Sequence, residues 1–213
     1  MVSWTGSEAV LLPHPGEPVP VLLMNTIWAD RTSVHDGLGT TGELAAWLAA
    51  VGGRLFAGGE RAASAVRRDD VDNFRHLRDA LRRLAAEASR DTRPRALNAA
   101  PDLALAEAVT VLNTASATAP AAPALLVPGW EVQLSPATSA RVPTAALSAV
   151  AALAVDTFAK AGRQAVRACQ APGCVLYFVK DHPRREWCSA ACGNRARAAR
   201  HYQRRRSGAT QQS

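Results

Sequence analysis

Four cysteines fall within 24 residues, as Cys169-Gln-Ala-Pro-Gly-Cys174 and Cys188-Ser-Ala-Ala-Cys192. This spacing, C-x4-C-x13-C-x3-C, constrains the fold more than any other feature, because so short a segment lacks enough core to fold unaided. The first eighteen residues, MVSWTGSEAVLLPHPGEP, lack the basic start, unbroken apolar stretch and small-residue cleavage site of a secretory signal, so a cytoplasmic location is expected. A reducing compartment disfavours disulfides, and the two pairs read as ligands of one zinc ion. Four thiolates complete a tetrahedral site with no open position, so the ion is expected to be structural rather than catalytic. Disulfides, free thiols, or His182 or His201 in place of one cysteine are the alternatives left open.

Each half suits its task. Pro172-Gly173 offers a tight turn that brings the first two sulfurs to one metal, a knuckle. Cys188 and Cys192, four apart, share one face if they lie on a helix. Between the pairs, Val175, Tyr177 and Val179 alternate and Asp181-His182-Pro183 reads as a turn, which predicts a short hairpin. Knuckle, hairpin, then helix is the order of a treble-clef zinc finger.

The helix is expected to run on to Arg206. Ala191, Arg195, Ala198 and Tyr202 then form one stripe, expected to pack on the finger. Arg197, Arg200 and Arg204, with His201 and Arg205 beside them, face outward, and Lys180, Arg184 and Arg185 extend the positive surface. Arginine suits phosphate contacts and, in a major groove, guanine O6 and N7, so a nucleic acid is the expected partner, with double-stranded DNA the first candidate. Gly193 is expected to permit close approach of the knuckle, and Asn194 to hold backbone there. Arg195 has two roles open to it, offsetting the net charge of about −2 on a zinc tetrathiolate or contacting nucleic acid, and the first is the one expected.

Charge distribution agrees. Between residues 163 and 206 eleven arginines and lysines face two acids, whereas the first 162 residues hold fourteen basic and sixteen acidic groups. A near-neutral body thus carries a cationic end, the electrostatic footprint of a polyanion binder.

The chain has 213 residues, enough for one ordinary domain and a small appendage. Its boundaries are expected at 1–162 for a body, 163–206 for the finger and 207–213 for a disordered tail. Pro18 to Trp28 reads as a buried strand ending in Asn25-Thr26, two polar residues that could line a ligand cleft or simply close their own turn. Thr40 and Glu43 form a capping box that starts a helix ended by Gly52 and Gly53. Val71, Phe74, Leu77, Leu81, Leu84 and Ala88 make one helical stripe with charges opposite. A helix is expected over Asp102 to Ala115, a hairpin around Pro128-Gly129, and a long helix from Pro143 to Ala161 that breaks at Gly162. Trp28, Trp47 and Trp130 read as core or pocket walls.

The fold class is therefore mainly α with a few short strands, plus the finger. No apolar run approaches a membrane span, and no catalytic constellation is found, so no enzyme is expected.

Cys192-Gly193-Asn194-Arg195, preceded by Trp187-Cys188 and the earlier cysteine pair, resembles the CGNR zinc finger. The body is similar to the ABATE domain that precedes this finger in bacterial proteins described as candidate stress-induced transcription regulators. That similarity rests on Asn25-Thr26, on Leu44 to Leu48 around Trp47, and on the helix containing Phe74 to Leu84. Leu22 and Leu23 stand where many members carry an acidic residue. The resemblance implies a DNA-binding finger and a body that senses a small-molecule effector or forms a homodimer. A single finger reads few base pairs, which also favours a dimer. A finger that binds protein or RNA is the rival reading, and an enzyme with chemistry in a body cleft is a third.

Overall fold

A computed structural model of the chain describes residues 12–30, 32–94, 102–136, 140–159 and 165–210. Its first element corrects the expected strand: Val19–Met24 is a short helix, α1. Pro18 caps it and Pro20 lies in its first turn, where no intrahelical N–H is required. All six residues are buried, so the run has no polar face, and periodicity cannot separate such a helix from a buried strand. Asn25 and Thr26 turn the chain into β1 (Ile27–Ala29), which pairs antiparallel with β2 (Val34–Asp36).

Helix α2 (Thr41–Val51) starts as expected: Glu43 N donates to Thr40 Oγ1 at 3.2 Å, and Thr40 N donates to Glu43 Oε2 at 2.8 Å. Leu44, Trp47, Leu48 and Val51 are its buried face. Beyond it two 3-10 turns, Gly52–Arg54 and Gly59–Ala65, cross so closely that a Cβ on Gly52 would lie 2.4 Å from the Gly59 backbone. Only glycine fits there.

Helix α3 (Arg68–Ser89) buries Val71, Phe74, Leu77 and Leu81 as its spacing predicts. The opposite face departs from expectation, since Arg78 and Arg82 are 2% and 0% exposed. Helices α4 (Leu105–Thr118) and α5 (Val142–Phe158) pack on each other and on α3. Between them β3 (Ala121–Leu126) and β4 (Glu131–Pro136) form the expected hairpin. Trp130 at its tip is 73% exposed and lines no core; Trp47 is fully buried, edge-on to Phe74. Gly162 and the boundary expected beside it lie outside the described residues.

In the finger, β5 (Val166–Ala168) pairs antiparallel with β6 (Tyr177–Val179), and α6 runs from Ala190 to Thr210. The expected hairpin within 175–187 is thus replaced: its strand pairs backward, with the first knuckle in the connection. Residues 207–210, expected as tail, continue α6. The result is a mainly helical molecule with three two-stranded ribbons among the described residues. None of its described helices is long and apolar enough to cross a membrane.

Two hydrophobic clusters interleave body and finger. The larger, built on α1, α2, α3 and α5, takes in Val166, Ala168 and Tyr177 from the finger. The smaller holds the four cysteines with Val175, Leu176, Phe178 and Ala196, and takes in Ile27 from the body, with Trp28 and Ala29 packed against it.

Asn25 sits at the junction. Its Oδ1 accepts from Tyr177 N and its Nδ2 donates to Tyr177 O, both at 2.9 Å and fully buried, so the side chain acts as a further strand residue for β6. Asn25→Ala strands two buried backbone groups and is expected to cost about 3 kcal/mol in chemical denaturation. Thr40→Ala, which removes only an exposed cap, is expected to cost about 1 kcal/mol in the same measurement.

Candidate metal centre

The knuckle forms because backbone bonds close it on both sides. Cys169 N donates to Leu176 O at 3.0 Å, Cys174 N donates to Ala171 O at 2.9 Å, and Gly173 takes the left-handed φ of 72° the turn requires. The second pair differs from expectation in one respect. Helix α6 begins at Ala190, so Cys188 lies just before it and only Cys192 is in its first turn. Ser189 starts the helix, its Oγ accepting from Cys192 N at 3.2 Å.

All four sulfurs lie within 4.8 Å of one another, and none is disulfide-bonded. Cys174 and Cys188 Sγ are 3.8 Å apart, and Cys188 and Cys192 Sγ 3.4 Å. Tetrahedral zinc with Zn–S of about 2.3 Å needs sulfurs roughly 3.8 Å apart, so the donor set fits one zinc ion. Every cysteine is at most 7% exposed, which leaves no room for a substrate and makes the site structural. His182 and His201 are exposed and outside the cluster.

Arg195 Nη2 donates to Cys192 Sγ at 3.2 Å, the charge-offsetting place expected of it. Asn194 Oδ1 accepts from Arg197 Nη2 rather than from backbone. Gly193 makes room not for the knuckle but for Trp187, whose Cδ1 lies 3.0 Å from where a Cβ would stand. The packing stripe of α6 is also corrected: Cys192, Gly193 and Ala196 are buried, whereas Ala191, Arg195, Ala198 and Tyr202 are exposed. The inward side is set by the zinc ligand Cys192 and by Ala196 one turn on, both in the finger's core, and the expected stripe lies on the other side of the helix. Arg197, Arg200, His201, Arg204 and Arg205 are all exposed. Lys180 and Arg184 lie on the turn after β6, half-buried and exposed respectively.

Arg185 is not part of a free positive surface. It is paired with buried Glu17 and with Asp181, donates to Val179 O at 3.0 Å, and lies over the Phe178 ring. Asn25 and Thr26 line no cleft: they are 0% and 3% exposed, with Thr26 Oγ1 donating to Leu23 O and Asn25 holding β6.

The body supplies several more residues that sequence reading missed. Arg82 Nη1 donates to Met24 O at 2.8 Å and its Nη2 to Val175 O at 3.1 Å. Arg93 Nη1 donates to Cys174 O at 3.0 Å and Leu176 O at 3.2 Å, while Asp91 holds its other edge. Both guanidiniums lie over the Tyr177 ring, at 5.0 and 4.7 Å, and Tyr177 OH donates to Asp91. Burial lowers Arg82 to about 10, still charged at neutral pH, and pushes Tyr177 up to about 12. For Arg93 burial acts downward, but the Asp91 carboxylate outweighs it and raises the pKa. Glu17 Oε2 accepts from Val179 N at 3.0 Å. No spacing rule marks these residues, because Arg and Glu are exposed by default.

The ABATE family, described as "Putative stress-induced transcription regulator", matches residues 17–161, about two thirds of the chain. The chain belongs to that family. The CGNR zinc finger matches residues 165–205 and contains all four cysteines. Neither is an enzyme family, and a search of curated proteins finds no match.

Freshly reduced protein is expected to carry one zinc per chain by elemental analysis, and Cys174→Ser or Cys192→Ser to carry almost none. Arg195→Ala is expected to keep its zinc but to lose it to a competing chelator about tenfold faster, because one thiolate loses its charge-offsetting donor.

Proposed function

We propose that this ABATE protein is a cytoplasmic transcription regulator that binds double-stranded DNA through the outward face of α6. The observation that carries this reading is the exposure of Arg197, Arg200, His201, Arg204 and Arg205 on one helix whose first turn contains a zinc ligand. A metal anchor holds the helix, so its guanidiniums can meet phosphates in register rather than as a loose tail. Lys180 and Arg184 are the further phosphate contacts in this reading. The body, residues 17–161, serves as the sensing or dimerisation domain, and a homodimer would supply the second half-site a single helix lacks.

Arg197→Ala/Arg200→Ala/Arg204→Ala is expected to abolish duplex binding in a mobility-shift assay while zinc content stays at one per chain. Single substitutions are expected to weaken binding and each to shallow the slope of log affinity against log salt by about 0.9. Binding unchanged in the triple variant would remove this face from the interface. Binding to single-stranded RNA or to no nucleic acid would favour a finger that serves protein or RNA contacts instead.

A further inference from the structure

The finger's zinc ligands are only part of what holds its knuckle. Cys174, Val175 and Leu176 leave that knuckle together, and the carbonyl oxygen of each accepts a hydrogen bond from a body arginine. Arg82 and Arg93 are 0% and 8% exposed, and both bonds of Arg93 to the finger end on the segment that carries a zinc ligand. The acceptors of the Arg82 guanidinium include one carbonyl of α1 and one of the finger.

We propose that the zinc site reaches into the body, with Arg82 and Arg93 as positioning residues for the metal. Zinc affinity is then set partly outside the finger, and α1 and α3 keep their closed packing only while the knuckle is metal-bound. The reasoning runs in both directions. With zinc gone, Cys169 and Cys174 no longer share an anchor, and the three carbonyls drift from their donors. The donors of these buried guanidiniums that faced the finger must then be rehydrated, which opens the middle of α3 and the turn after α1. Conversely, a body that presents both guanidiniums preorganises the knuckle and tightens metal binding, by the same coupling. This coupling needs zinc but not DNA binding, so it stands apart from the proposed function.

The test uses the full chain and hydrogen exchange read by mass spectrometry, with zinc bound and after its removal by a chelator. Zinc removal is expected to speed exchange at least tenfold in residues 19–26 and 74–85, as well as in the finger. Competition with a chromogenic chelator is expected to show zinc affinity reduced about 10- to 100-fold by Arg82→Met and by Arg93→Gln. Arg68→Gln, on the exposed side of α3, is expected to bind zinc as the wild type does. Exchange that changes only within residues 165–205 would overturn the proposal, and so would unaltered zinc affinity in both variants. If either variant fails to fold, the wild-type comparison decides by itself.

Discussion

The backbone of residues 174–179 is the seam on which the molecule depends. It carries a row of buried N–H and C=O groups that a two-stranded ribbon cannot satisfy by itself. Body side chains do so instead: Arg93 for the Cys174 and Leu176 carbonyls, Arg82 for Val175, Asn25 for both groups of Tyr177, and Glu17 for the Val179 N–H. Side chains thus replace the neighbouring strand that a larger sheet would provide. The solution is demanding, because two of the four are cations and one is a carboxylate, all at most 8% exposed. Each is tolerable only while its partner is in place.

That demand explains why the finger and the body share their cores. A segment of about 41 residues, as the finger match defines it, has too little apolar surface to fold unaided. Zinc supplies part of the stability, and the rest comes from lending Val166, Ala168 and Tyr177 to the body while borrowing Ile27 and the side of Trp28. The same exchange orients α6, since β6 is fixed to the body along its length and Cys188 follows it after a turn held by Arg185 and Glu17.

What was legible in the sequence follows from which signals are local. The zinc ligands, the capping box at Thr40, the α3 stripe and the β3–β4 hairpin each rest on residues close in the chain, and the structure contains all of them. The misreadings need a partner distant in sequence. Val19 to Met24 is helical because it is enclosed on every side, and Asn25 faces no cleft because Tyr177, 152 positions away, occupies it. Tyr202 shares a stripe with the small residues Ala191 and Ala198 and so reads as packing, but Cys192 and Ala196 set the inward side of α6 and leave Tyr202 facing out. Arg78 and Arg82 look like surface residues until the finger and the β2 carboxylate Asp36 are brought against α3.

Arginine illustrates why a charge count is a poor measure of an interface. The cationic end holds eleven basic residues, yet its guanidiniums are not equivalent. Arg185 is spent on Glu17 and Asp181, and Arg195 on the Cys192 sulfur. Arg197 also bonds Asn194, which fixes its side chain without removing its exposure. Arg82 and Arg93, counted with the near-neutral body, act on the finger. The exposed charge left over is therefore smaller than the composition suggests, and apart from Lys180 and Arg184 on the turn after β6 it lies along one side of α6. An ordered row of few charges gives a weaker salt dependence than a free tail of eleven but holds its contacts at fixed spacing, and fixed spacing is what a repeating phosphate lattice rewards.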